Sequence, residues 1–135
     1  MGVTLKWLGT GMQFAGGPDG GPLLVVDGDG KVAISPMNTF LTGLCACTAS
    51  DIVDIAARMR VPMDALHVRA EDERRAEPPR RYTRLRLIYT VNGVDTQDHD
   101  KIRRAVALSH EKYCSALNSL RQDIEVATDI IFEPA

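Results

Sequence analysis

The sequence predicts an α+β protein with element order β-β-β-α-β-β-α-α-β in a single domain, 1–135. Three observations support this class. Short β-rich segments separated by glycine turns fill residues 3–34, one long apolar helix follows, and the later strands are not regularly interleaved with helices.

Residues 3–8 (Val-Thr-Leu-Lys-Trp-Leu) are rich in β-formers and lead into a glycine-rich turn region, Gly16 to Gly21. Leu23 to Val26 reads as a second strand. Asp27-Gly28-Asp29-Gly30 is a two-strand turn signal, and Val32 to Ile34 completes a meander. Neither GxxxxGK[ST] nor GxGxxG followed by a helix occurs, so the glycines are turns and not a phosphate cradle.

Ser35-Pro36 opens the long helix, since serine caps free N–H groups and proline suits the first helical position. It should end near Arg60, ahead of Pro62. Residues 65–75 and 82–92 read as strands. The second alternates Leu85, Leu87, Tyr89 and Val91 against Arg84, Arg86, Ile88 and Thr90, and stops at Asn92-Gly93. Thr96 or Asp98 caps a helix carrying Ile102, Ala105, Val106 and Leu108. A further short helix holds Tyr113, Cys114, Leu117 and Leu120, and Ile124 to Phe132 forms the last strand.

The net charge of -2 and pI near 5.9 argue against a nucleic-acid binder, which needs a basic surface to displace counterions. Every arginine lies at or beyond Arg58. The dense stretch Arg69 to Arg86 also carries Glu71, Asp72, Glu73 and Glu77, so it reads as a mixed-sign solvated surface. No apolar run approaches the roughly 20 residues that span a bilayer, and the N-terminus lacks a signal-peptide pattern. Three cysteines, two of them in Cys45-Ala46-Cys47, make a poor secreted disulfide scaffold. The expected location is cytoplasmic, with thiols reduced, no membrane partner and no cofactor.

Two rows run down the long helix. Leu41, Cys45, Thr48, Ile52, Ile55 and Met59 stay mostly apolar, whereas Phe40, Leu44, Cys47, Asp51, Asp54 and Arg58 turn from apolar to charged. Cys45 and Cys47 lie about 200° apart around the axis and cannot pair with each other. Cys45 reads as a small core residue. Cys47 stands where its row becomes charged, the better place for a thiol to meet substrate. The apolar first half of the helix is also more than one small chain can cover, which suggests a second subunit.

The segment Ser35-Pro36-Met37-Asn38-Thr39-Phe40-Leu41-Thr42-Gly43-Leu44-Cys45-Ala46-Cys47-Thr48-Ala49 resembles the central-helix signature of the OsmC/Ohr family: a proline, a run of apolar and small residues, then a cysteine eleven positions on. Ser109-His110-Glu111-Lys112-Tyr113-Cys114-Ser115-Ala116-Leu117 is similar to the segment with the family's second cysteine, and the element order matches throughout. The resemblance implies an intertwined homodimer and a thiol peroxidase. Cys47 would attack an organic hydroperoxide to give a sulfenic acid, Cys114 would condense with it as a disulfide, and a dithiol such as a lipoylated protein would restore both thiols. Met37, Phe40 and Leu44 would line the substrate pocket, with Met12 nearby. The chain departs from the better-characterised peroxidases in placing Met37 where they have a glutamate and in having no arginine before Arg58. Lys6, Arg58, Arg80 and Arg81 are the candidate cations in its place.

Other readings use the same residues. A non-catalytic dimer of this type would bind a small apolar ligand or sense redox state. His110 and Cys114, at i and i+4, have zinc-ligand spacing, but with Cys47 they make only three ligands, so no metal site is expected. Asp51 and Asp54 read as the solvated edge of the helix, with Asp54 paired to Arg58. His67 and His99 have no catalytic partners in the pattern, and no GxSxG supports serine hydrolysis.

Overall fold

The computed structural model describes residues 2–135 and is a mixed α+β fold with two three-stranded sheets. The chain divides into two compact units, Met1–Thr42 and Gly43–Ala135.

The first unit contains an antiparallel meander of β1 (Val3–Trp7), β2 (Gln13–Pro18) and β3 (Leu24–Asp27). The sequence-based meander differs at two points. Gln13–Pro18 is a strand despite its glycines, because the chain passes too close for side chains there: a Cβ on Gly17 would collide with the Pro22 carbonyl oxygen. Val32–Ile34, by contrast, makes only an isolated parallel bridge, Val26 to Ile34. Its backbone is claimed by Asp27, whose carboxylate accepts from the N–H groups of Asp29 (2.9 Å), Lys31 (3.1 Å) and Val32 (2.9 Å). The turn signal Asp27 to Gly30 is therefore a side-chain-held loop and not a hairpin.

The long helix, α1 (Pro36–Arg58), starts as its residues require. Asn38 N–H donates to Ser35 Oγ at 3.2 Å, and Pro36 takes the first helical position. It ends at Arg58; Arg60, just beyond, adopts a left-handed conformation (φ 58°), while the Val61 N–H returns to the Ala56 carbonyl. At 23 residues with mean hydropathy 1.5 over its best window, α1 is long and apolar enough by length and composition to cross a membrane, which corrects the expectation that no run approaches that length.

The second unit is built on β4 (Ala65–Arg74), β5 (Tyr82–Asn92) and β6 (Glu125–Glu133). β4 and β5 are antiparallel, and β5 and β6 are parallel, so the connection from β5 to β6 is a crossover. That crossover carries a 3-10 turn, α2 (His99–Leu108), a π-helical turn (Ser109–Tyr113) and α3 (Ser115–Asn118). The alternation on β5 holds as expected, with Leu85, Leu87, Tyr89 and Val91 fully buried. Ile52 of α1 and Val106 of α2 pack with Leu87 and Tyr89, and Ala56, Val61, Val91 and Ile102 form the adjoining layer.

The backbone N–H groups of Val32 and Asp29 hold the Asp27 carboxyl below the usual carboxylate range. With its folded value under the unfolded one of about 3.9, its contribution is complete above roughly pH 4 and is lost as pH falls through the folded value. Hydrogen exchange followed by NMR should show the Asp29, Lys31 and Val32 amides protected at neutral pH and released in acid. Asp27→Ala should release them at every pH.

Candidate functional site: a buried dithiol

The site lies in the second unit, where α1 meets the crossover connection. Cys47 is half-buried on α1, and Cys114 is fully buried. Cys47 is near enough to Cys114 to act on its thiol, and both are reduced. Cys45 is a third free thiol, half-buried and not a full core residue as expected. Burial raises it above the usual thiol value.

The local backbone explains how Cys114 reaches Cys47. α2 widens into the π-turn, where the Cys114 N–H donates to the Ser109 carbonyl at 2.8 Å. At Cys114 the chain turns extended (φ -73°, ψ 103°), and the residue becomes the N-cap of α3, its Sγ accepting from Leu117 N–H at 3.3 Å. His110 and Cys114 therefore do not share a helical face, which removes the geometric basis of a two-ligand zinc spacing. Among the described residues, no group of three or more His, Cys, Asp or Glu side chains is placed to hold a metal ion.

Burial is the main force on the Cys114 thiol and pushes it up to about 11. The Leu117 N–H opposes this, while Cys47 and Asp51 add to it. None of the four expected cations is among the groups acting on Cys114. Arg58 pairs with Asp54 at 3.0 Å, as the spacing predicted, and Arg81 with Asp123 at 3.6 Å. The Arg80 carbonyl accepts from Arg74, and Lys6 lies exposed on β1.

Five polar side chains around the thiols were not singled out by sequence reasoning, or were read differently. Asp51, expected as solvated edge, is half-buried and accepts from the buried Ser109 hydroxyl at 2.9 Å. The Tyr89 hydroxyl lies 2.6 Å from His110 Nε2 and also meets the Thr48 hydroxyl, which sits 3.2 Å from the Cys45 carbonyl. Burial pushes Tyr89 up to about 12, so its hydroxyl stays protonated beside the His110 ring nitrogen. The signal that could have found this network is in β5. Its buried alternation carries the Tyr89 hydroxyl into the core, where it must find a partner.

A pocket of about 490 Å³ adjoins Asp51, lined also by Ile55, Met59, Leu108, Tyr113 and the Asp54–Arg58 pair. Of the expected pocket residues, Leu44 is buried in the second unit. Met37, half-buried, and Phe40, 48% exposed, belong to the first.

The fold is α+β, with one thiol buried at the start of a short helix and a second near it on the long helix. The chain belongs to the OsmC-like protein family, which matches residues 28–129. It is 35% identical over 127 residues to Protein YhfA of Escherichia coli K12, covering 93% of each chain. Its fold matches a hypothetical protein from Aquifex aeolicus with TM-score 0.85 and 21% identity, covering 99% of this chain and 96% of that one. It also matches an organic hydroperoxide resistance protein OsmC from Legionella pneumophila with TM-score 0.68 and 20% identity, covering 96% and 94%. Family membership also accounts for α1, the core helix of a soluble fold and not a membrane span.

Burial holds His110 below the usual histidine value, with Glu111 opposing. Between that folded value and the unfolded one of about 6.5, the unfolded chain binds the extra proton, so stability should fall as pH drops through about 6.5. Denaturation midpoints measured across this range should show the fall in the wild type. They should flatten in His110→Gln, which keeps an acceptor for Tyr89.

Proposed function

We propose that the protein is a cytoplasmic two-thiol peroxidase that reduces organic hydroperoxides, with 1–135 acting as one domain. The observation that carries this reading is the contact between Cys47 and Cys114 in their reduced forms. A pair poised to form a disulfide needs its sulfurs adjacent before oxidation. The family and the likeness to a hydroperoxide resistance protein support it.

The unequal burial of the thiols supports different roles for them. Cys47, half-buried, is the nucleophile. Its thiolate attacks the peroxide oxygen, the O–O bond breaks, and the alcohol leaves with a proton while Cys47 becomes a sulfenic acid. Cys114, buried and held protonated, is the resolving thiol. It loses its proton, attacks the Cys47 sulfur and displaces water to give the disulfide. A dithiol such as a lipoylated protein then reduces the pair by two electrons through a mixed disulfide.

The working form is a homodimer. The first unit exposes Val3 (77%), Leu5 and Trp7 on β1, and the second exposes Val53 on α1. Clustered exposed apolar residues favour an interface. Light scattering should return the mass of a dimer, and a monomer mass would overturn this part of the reading.

Reduced protein should be treated with one equivalent of an organic hydroperoxide and mapped by mass spectrometry after alkylation. A rapid Cys47–Cys114 disulfide with Cys45 still alkylated is expected. Three alkylated cysteines would reject the peroxidase reading in favour of a ligand-binding or redox-sensing dimer without catalysis.

A further inference from the structure

The two thiols are joined by more than their own contact. Asp51 stands one helical turn beyond Cys47 on α1, so both project along the same row. Its Oδ2 accepts from Ser109 Oγ at 2.9 Å, and Ser109 is completely buried. The Ser109 carbonyl in turn accepts the Cys114 N–H at 2.8 Å. The route Cys47, Asp51, Ser109, Cys114 therefore closes into a ring through the thiol contact. Asn118 braces its far side, donating to the Cys114 carbonyl at 2.8 Å and the His110 carbonyl at 3.2 Å.

We propose that Asp51 is the positioning residue of this dithiol: through Ser109 it holds the π-turn to α1 and so sets the resolving thiol against Cys47. This deepens the two-thiol reading and rests on Cys47 and Cys114 being the working pair. Charge-assisted hydrogen bonds to a buried donor are among the stronger single contacts a protein makes, and this one joins the two elements that carry the sulfurs. The charge of Asp51 also faces Cys114 and acts in the same direction as burial, keeping the thiol protonated. The other titratable groups around Cys114 are Cys47 on α1 and Tyr89 on β5, the latter hydrogen-bonded to His110. The 490 Å³ pocket beside Asp51 gives its carboxylate a path to solvent.

The test equilibrates the full-length protein with reduced and oxidised glutathione, then traps and quantifies the Cys47–Cys114 disulfide. Glutathione disulfide takes two electrons from the dithiol: Cys47 displaces one glutathione, and Cys114 displaces the second from the mixed disulfide. Asp51→Ala and Ser109→Ala should each lower the effective concentration of the pair by about tenfold or more. The double variant should be no worse than the poorer single, because both act through one hydrogen bond. Asp51→Asn retains an oxygen for Ser109 and should stay within about threefold of wild type, yet its resolving step should shift to lower pH with the charge removed.

A purely structural role would not produce that pH shift with a preserved equilibrium. Ser109→Ala removes a single oxygen, so it decides the matter even if Asp51→Ala fails to fold. Wild-type equilibria in Ser109→Ala, or additive effects in the double variant, would overturn the proposal. The glutathione couple contains no hydroperoxide. A wild type that ignores hydroperoxide but shows the Asp51 dependence would therefore sink the peroxidase reading alone, and the reverse pattern would sink only the role of Asp51.

Discussion

The Tyr89 hydroxyl is the constraint around which the site is organised. β5 turns this side chain into the core beside Leu87 and Val91, where an unpaired phenol would cost about 1–3 kcal/mol. It is satisfied by His110 on the π-turn and by Thr48 on α1, so one hydroxyl ties the sheet to both helical elements that bear cysteines. A helix that continued regularly past Leu108 would rotate His110 away from this partner. The extra residue in the π-turn keeps His110 on Tyr89, and the chain that emerges from it delivers Cys114 to Cys47.

The electrostatics around Cys114 favour protonated sulfur. Burial, the neighbouring Cys47 and the Asp51 carboxylate all raise Cys114, and only the Leu117 N–H opposes them. A thiol held protonated is unreactive, because the thiolate is the reactive form. Of the two sulfurs, Cys47 is the more exposed and Cys114 the sheltered one.

What could be read from the sequence follows from how local each determinant is. The β5 alternation, the Ser35-Pro36 helix start and the row that turns charged at Cys47 are properties of neighbouring residues, and the structure keeps them all. The pairing of Cys47 with Cys114 came from resemblance to a family, because nothing in spacing relates positions so far apart. β2 was missed because Gly16-Gly17 signals a turn when read locally. The close approach of the Pro22–Leu23 backbone that makes glycine necessary is a tertiary fact. Val32–Ile34 was mistaken for a strand because its β-branched residues say nothing of the carboxylate that captures its N–H groups. The π-turn and the break at Cys114 have no proline or glycine to announce them. With them went the roles of Ser109 and Asp51.

The parallel pairing of β5 with β6 has a consequence for how the protein is made. Cys114 lies in the crossover between these strands, and a parallel pair closes only after its whole connection has been synthesised and gathered. α1 forms from local contacts much earlier, so a nascent chain displays Cys45 and Cys47 before Cys114 exists. During that interval a sulfenic acid formed at Cys47 would find no Cys114 thiol to condense with. The topology thus separates the two sulfurs in time, the one on the local helix coming first and the one in the long crossover last.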